Sequence, residues 1–315
     1  MRIAFIQDRD PMVDMGGAEL TDKTHILAGI RRGHDIQIVI PALNLQELEQ
    51  PWDLAIMSNS MSLGPEAYEH LAERGVPYVL FMHDYGPQLC KWRLLYSMED
   101  RCRDLCYLRE RWLPWLQRAA LIIWLSPLHR EAWLFAYPQL REHPFTLVPS
   151  PVNPDLFYDL HLVRKGVVAV NSSVSYKGAE HVERWAQEHP DSPITLVGGN
   201  PENRTLPANV TLQGQVAYHN MNEIYNRHEM FLHLAANVMP FDRVCAEAAL
   251  AGCRLILNQN VGAGSWPFMH QGRDAIVRAL RAAPGQFWAA IEEAQHTKAP
   301  IPVIAFTPRM VGGPL

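Results

Sequence analysis

The 315-residue chain has little cysteine: five in all, an odd number. A chain this long can bury an ample core without disulfides, so a disulfide framework is excluded and a reducing compartment, the cytoplasm, is expected. Long hydrophobic runs are also missing. Stretches such as 119–125 fall well short of the ~18 residues of a membrane helix, so no transmembrane segment is expected, and a peripheral membrane contact is the only membrane option. The opening Met1-Arg2-Ile3-Ala4-Phe5-Ile6 is too short an apolar stretch for a signal peptide and reads as a first buried strand. Charge of one sign is scarce as well: a formal net charge of −5 gives no overall attraction to nucleic acid, although it averages over local segments. With 19 glycines and 24 prolines the chain stays below the ~25–30% that marks low-complexity sequence. What is present is a 48% hydrophobic, 19% charged composition, which excludes disorder. At ~150 residues per domain the length predicts two domains.

Short apolar runs alternate with longer amphipathic ones. Strands are expected at 2–7, 35–40, 52–57, 78–82 and 121–125, apolar throughout, as when helices cover both faces of a parallel sheet. Helices are expected from Gly16-Gly17 to Gly33, with Leu20, Thr24, Leu27 and Ile30 at helical spacing, and near 66–74 and 128–136. Residues 149–158 carry three prolines and read as an interdomain connection. The alternation then restarts, with strands at 167–170, 194–197, 210–213, 230–234 and 254–258. Helices are expected from Lys177, near 221–227, near 243–251 and near 286–295. The fold class is therefore α/β, two doubly wound Rossmann-like units with a cleft between them. The expected division is 1–152, 153–285, and a helix and tail at 286–315 packing back on the first unit.

Ligands of open α/β sheets bind beyond the carboxyl ends of the strands, so the polar residues after each apolar run matter most. Four places qualify: Gly16-Gly17, His83-Asp84-Tyr85, the stretch 171–178, and the stretch 239–247. The last has a proline before a helix that starts near Phe241 and stops at Gly252, so its N-terminus offers an anion site suited to a diphosphate. Arg243 and Glu247 lie four apart on it, which on spacing alone is a helical ion pair worth a few tenths of a kcal/mol.

The stretch Met239-Pro240-Phe241-Asp242 followed by Glu247-Ala248-Ala249-Leu250-Ala251-Gly252-Cys253-Arg254-Leu255-Ile256 resembles the fingerprint of the family 4 retaining glycosyltransferases of the GT-B fold. Further similar motifs, in the same order, are Gly16-Gly17-Ala18-Glu19, Gly33-His34-Asp35, Ser126, Ser150-Pro151-Val152-Asn153 with Phe157, Lys177-Gly178 and Leu196-Val197-Gly198-Gly199. The resemblance covers the chain to about residue 265. It implies that Glu247 binds ribose hydroxyls and that Lys177 neutralises the donor diphosphate. It further implies that the loop at Gly16 and Gly17 lets the backbone approach donor or acceptor, and that His83 stands near the transferred sugar. Phe241 and Arg243 fall in the donor-binding stretch.

Three positions depart from that family's pattern. Met239 stands where a sugar-binding glutamate is expected, Asp242 where a glycine faces the donor sugar, and Ser172 where an arginine partners the lysine. Diphosphate neutralisation then falls to Lys177, the helix N-terminus, and Arg243 or Arg204. Asp242 is the candidate to supply the missing carboxylate.

Other patterns carry less. Asp8-Arg9-Asp10 matches a metal-binding Asp-x-Asp but sits in the wrong place for that role. Cys90, Cys102 and Cys106, with His83, lack the paired spacing of structural zinc sites and read as buried thiols, so no metal is expected. Residues 91–118 interleave seven basic residues with aromatics. They read either as amphipathic helices with packed aromatics and solvated arginines, or as an acceptor surface with Asp84, Tyr85, Lys91, Trp92 and Arg93 for an anionic glycan, a lipid head group or a flipped base.

The resemblance implies a retaining glycosyltransferase that moves a sugar from a nucleoside-diphosphate donor to an acceptor hydroxyl by same-face displacement. The nucleotide-sugar is a co-substrate and no cofactor is required; the acceptor is a glycan, a lipid-linked compound or a small molecule. Two alternatives stand beside this: a glycosyltransferase acting on hydroxymethylated bases in DNA through residues 91–118, and a non-catalytic sugar-nucleotide binder.

Overall fold

The computed structural model describes residues 1–14, 16–40, 45–59, 62–86, 106–170 and 173–296, the side chains of 45–46, 106–109 and 296 excepted. The first sheet contains β1 (Arg2–Ile6), β2 (Asp35–Val39), β3 (Leu54–Met57), β4 (Tyr78–Met82), β5 (Leu121–Trp124) and β6 (Phe145–Leu147) in the order β2-β1-β3-β4-β5-β6. The second contains β7 (Val167–Val170), β8 (Ile194–Val197), β9 (Val210–Gly214), β10 (Met230–His233) and β11 (Arg254–Leu257) in the order β11-β10-β7-β8-β9. Every pairing between these strands is parallel. β1, β3, β4 and β7 are buried on both faces, which is why they read as unbroken apolar runs.

Among the described residues eight α-helices flank the sheets: α1 (Gly17–Arg31), α2 (Pro65–Glu73), α3 (Cys106–Arg118), α4 (Pro127–Ala136), α5 (Ala179–Glu188), α6 (Met221–Asn226), α7 (Arg243–Leu250) and α8 (Arg273–His296). The strand β6 was not expected from sequence. At three residues it is too short to show a pattern, and pairing with β5 defines it. The helix expected near 286–295 begins instead at Arg273 and runs through Pro284, crossing residue 285 without a break. Its far end lies against α1: the Trp288 indole donates to the His25 carbonyl at 2.8 Å, and Glu292 accepts from Arg32 Nε at 3.0 Å.

One hydrophobic cluster spans both halves, from Ile3, Phe5 and Phe81 through Phe287 and Trp288 to Val168 and Phe231. Across the cleft, Ser126 Oγ donates to the Pro240 carbonyl at 2.6 Å and the Trp266 indole to the Leu125 carbonyl at 2.9 Å.

α1 corrects the sequence reading. Its expected apolar stripe is turned outward, Leu27 being 38% and Ile30 49% exposed. The buried face is Glu19, Thr21, Asp22, His25, Ile26 and Gly29. Apart from Ile26, this helix is oriented by polar partners, described next, rather than by its leucines and Ile30.

Candidate functional site

In each sheet the strand order reverses at one point, between β1 and β3 in the first and between β7 and β10 in the second. The carboxyl ends of strands at such switch points are where crevices open. Gly16 and Gly17 follow β1 and open α1, while Asn59 follows β3 and donates from Nδ2 to Glu19 Oε1 at 3.2 Å. His83, directly after β4, hydrogen-bonds through Nε2 to Asp22 Oδ1 at 2.8 Å, and Ser58 Oγ donates to the other oxygen of Asp22, also at 2.8 Å. Asp22 is fully buried.

On the opposite side, Lys177 ends a short 3₁₀ turn at Ser175–Lys177, and Gly178 follows at φ 96°. A Cβ at Gly178 would stand 1.9 Å from the Leu234 carbonyl oxygen, so only glycine brings this turn onto the end of β10. Asn237 Nδ2 fixes the turn further through the Tyr176 carbonyl at 2.7 Å.

Asp242 precedes α7 at φ 66° without donating or accepting a side-chain cap bond. Its Oδ2 lies 2.6 Å from Nε2 of His233, the last residue of β10, and its side chain is 9% exposed. Burial pushes the Asp242 carboxyl up, but His233 and then Lys177 outweigh it and hold the group below its ordinary value. Asp242 is therefore an ionised carboxylate. Of the stretch before it, the Phe241 ring and the Met239 side chain pack with the core, and their backbone bonds Asn260, Gly262 and Ala263.

Arg243 reaches across from α7. Its Nη1 donates to Thr21 Oγ1 at 3.3 Å, to Ser150 Oγ at 3.2 Å and to the Pro151 carbonyl, and its Nη2 to Tyr218 OH at 3.4 Å. Behind it Glu247 is buried, accepting from Tyr218 OH at 3.0 Å and from Tyr225 OH at 3.2 Å, with Arg243 Nε 4.0 Å away. Burial raises the Glu247 carboxyl above its ordinary value, against the opposing pull of Arg243 and the two tyrosines. The bare i,i+4 spacing thus understated this pair: both members are engaged by other elements.

The structure brings Gly16, Gly17, His83, Lys177, Phe241, Asp242, Arg243 and Glu247 onto elements that face the cleft. Arg204 is held elsewhere, bonded to Glu183 at 2.6 Å, Glu180 at 3.0 Å and Glu202 at 3.1 Å. Three carboxylates occupy the guanidinium expected as an alternative diphosphate partner. Tyr85 is fully buried, edge-on to His129, so its ring presents no surface to an acceptor. Asp84 is half-buried and caps its own turn through Gly86 N at 3.0 Å. Trp112 and Leu116 of α3 are buried in the core and Trp115 packs against it, while Arg111 is 56% exposed. Trp112 and Trp115, the aromatics described in α3, therefore pack inward and do not form a stacking platform.

Lys91, Trp92, Arg93, Cys90, Cys102 and Ser172 lie outside the described residues, as does the side chain of Cys106. Among the described residues no three His, Cys, Asp or Glu side chains are grouped to hold a metal ion, and no helix is long and apolar enough to cross a membrane. Sequence reasoning missed Asp22, Ser58, His233, Tyr218 and Tyr225. Asp22 carried a signal, as an acidic residue inside a helix packed between apolar strands.

No family model and no curated protein matches the chain. Solved structures do. The chain is similar to sucrose-phosphate synthase from Thermosynechococcus elongatus, with TM-score 0.63 and 17% identity over 94% of this chain and 93% of that one. It is similar to Anabaena HepE in complex with UDP and glucose, with TM-score 0.59 and 16% identity over 94% and 98%. A third is AviGT4, a glycosyltransferase of avilamycin A biosynthesis, with TM-score 0.57 and 13% identity over 94% and 95%. The likeness runs through both sheets and establishes the fold: this is a GT-B protein, two facing α/β units with a cleft between them.

Proposed function

We propose that the chain is a glycosyltransferase that moves a sugar from a nucleoside-diphosphate donor to an acceptor hydroxyl. The observation that carries the reading is that Arg243 of α7, in the second half of a GT-B fold, bonds Thr21 of α1 and Ser150 and lies beside Gly17, which sets the end of β1 against the start of α7. HepE, which shares the fold, was solved with UDP and glucose. The resemblance of residues 239–256 to family 4 supports membership there and retention of configuration.

In this reading Lys177 and the first turn of α7 stabilise the diphosphate as it leaves, and the leaving phosphate accepts the acceptor's proton. Catalysis is then positioning and charge stabilisation. The ionised Asp242, tied by one oxygen to His233, takes the sugar-hydroxyl role for which Met239 has no carboxylate. Glu247, enclosed by Tyr218 and Tyr225, reaches a ribose only when the Tyr218 side of the cleft gives way. Division into an acceptor-side unit 1–152 and a donor-side unit 153–285, with the far end of α8 against α1, fits this reading.

The test is a panel of nucleotide sugars read by nucleoside-diphosphate release, with small glycans, lipid-linked acceptors and DNA containing hydroxymethylated bases as separate arms. Release with one donor, lost in Lys177→Ala, is expected, and the product's anomeric configuration, read by NMR, decides retention. Binding of a nucleotide sugar without turnover in any arm refutes the reading and leaves a sugar-nucleotide binder. Turnover confined to the DNA arm, falling steeply with salt, assigns the acceptor to nucleic acid.

A further inference from the structure

His83 follows β4 and Asp22 sits in the second turn of α1, yet the two side chains are joined at 2.8 Å. The Asp22 carboxylate is fully buried, and such a group is costly unless every oxygen finds a donor. Here each does, one through His83 Nε2 and the other through Ser58 Oγ–H at 2.8 Å. Ser58 follows β3, so three separate elements fix one carboxylate oriented at one imidazole nitrogen. The next ring along α1, His25, does not compete for it. His25 stacks on Phe287 at 4.1 Å and meets Phe81 edge-on at 5.3 Å, and neither of its nitrogens is hydrogen-bonded among the described residues. The His83 ring packs against Phe81 at 4.4 Å, which sets its plane.

We propose that Asp22 is a positioning residue that holds His83 as the Nε2–H tautomer, leaving the Nδ1 lone pair as a hydrogen-bond acceptor for a hydroxyl of the sugar being transferred. A carboxylate accepts and cannot donate, so the nitrogen facing it must carry the proton, and the other ring nitrogen of a neutral imidazole is then an acceptor. No proton is transferred: the device fixes which atom of His83 meets the substrate. The inference rests on the reading of the cleft as a glycosyl-transfer site.

The decisive variant is Asp22→Asn, nearly isosteric, whose amide turned by its contact with Ser58 can donate to Nε2 and so drives His83 to the Nδ1–H form. Two readouts are taken on the full chain. The imidazole nitrogen resonances of His83, assigned by comparison with His83→Gln, report the tautomer without any substrate. Nucleoside-diphosphate release reports kcat and the donor KM. The expected result is an Nε2–H pattern in the parent chain, an Nδ1–H pattern in Asp22→Asn, and a fall in kcat of roughly 10–100-fold, the size outer hydrogen-bond partners of a functional ring carry.

If Asp22→Asn fails to fold, Ser58→Ala serves. It keeps the tautomer but frees the carboxylate's orientation, and a smaller fall in kcat is expected. An Nδ1–H pattern in the parent chain, or unchanged kcat in both variants, overturns the proposal. A parent chain that turns over no donor refutes the glycosyl-transfer reading instead, while the nitrogen resonances still decide whether Asp22 sets the tautomer.

Discussion

Arg243→Met gives the most direct measure of how the two halves of the molecule are held. The Arg243 side chain is 11% exposed and its donors reach Thr21 in α1, Ser150 and Pro151 in the connection between the sheets, and Tyr218. Hydrogen bonds to a charged group contribute about 1.5–3 kcal/mol each, not additively. Removing the cation also leaves the Glu247 carboxylate buried without the charge 4.0 Å away. Breaking one side of such a buried pair costs about 3–5 kcal/mol, which is the expected loss for Arg243→Met in urea unfolding followed by circular dichroism. Glu247→Gln removes a carboxylate whose charged form burial already disfavours. Alone it costs about 1–2 kcal/mol, because one tyrosine hydroxyl loses its acceptor. In the double variant no uncompensated charge remains, so the two losses overlap by about 1–3 kcal/mol. Additivity to within about 0.5 kcal/mol would refute the reasoning, since it would mean that Arg243 acts only through its contacts to the first sheet and not on Glu247.

Acid should weaken the fold as histidines protonate in the unfolded chain. His25 and His129 are fully buried, and burial pushes both below 6.5, His129 to about 3. Below pH 6.5 the unfolded chain takes up protons that the folded chain refuses, so each ring lowers stability by about 1.4 kcal/mol per pH unit. Together they remove about 3 kcal/mol between pH 7.5 and 5.5. His143 and His228 are lowered by burial as well and Glu247, shifted the other way, opposes the trend, so the measurement is differential: His25→Leu should remove about 1.4 kcal/mol of the loss between pH 7.5 and 5.5 in urea unfolding, and an unchanged slope contradicts it. Gly29→Ala places a Cβ 2.2 Å from Cζ2 of the fully buried Trp288. The overpacking should cost about 1–3 kcal/mol and redden Trp288 emission as α8 lifts from α1; a native spectrum and midpoint would count against this packing. Cys245 and Cys253 are buried free thiols, shifted up by burial, Cys253 to about 12. Peptide mapping after alkylation at pH 8 should find both unlabelled in the native protein and labelled in urea; native labelling would mean that α7 opens.

The strands were legible because a parallel strand buried on both faces leaves a signature that neighbours hardly alter: Leu54–Met57 and Tyr78–Met82 read as apolar runs and are strands. Length limits that signal, and β6, with three residues of which the first is exposed, has no pattern apart from its partner β5. α1 failed for a different reason. Leu20, Thr24, Leu27 and Ile30 satisfy the helical period, yet the face turned inward is Glu19, Thr21, Asp22, His25, Ile26 and Gly29, of which only Ile26 is a large apolar residue. Periodicity assigns a helix its core face on the assumption that burial is apolar. In α1 the deciding terms are hydrogen bonds to His83, Ser58 and Ser150, whose donors and acceptors come from residues 36 to 129 positions away. Asp242 breaks a second local rule, a non-glycine residue at φ 66°, with its carboxylate bonded to His233, nine residues earlier at the end of β10. α1 and Asp242, where these local rules fail, both lie at the facing switch points, although His161 and Asn203 also take positive φ away from them. That is the pattern expected when polar side chains on separate elements must converge on one place, because their stabilisation comes from long-range pairing that no window of sequence contains. A sequence reading therefore finds such a site by its violations: the acidic residue inside a helix that should be apolar, and the carboxylate where the backbone asks for glycine.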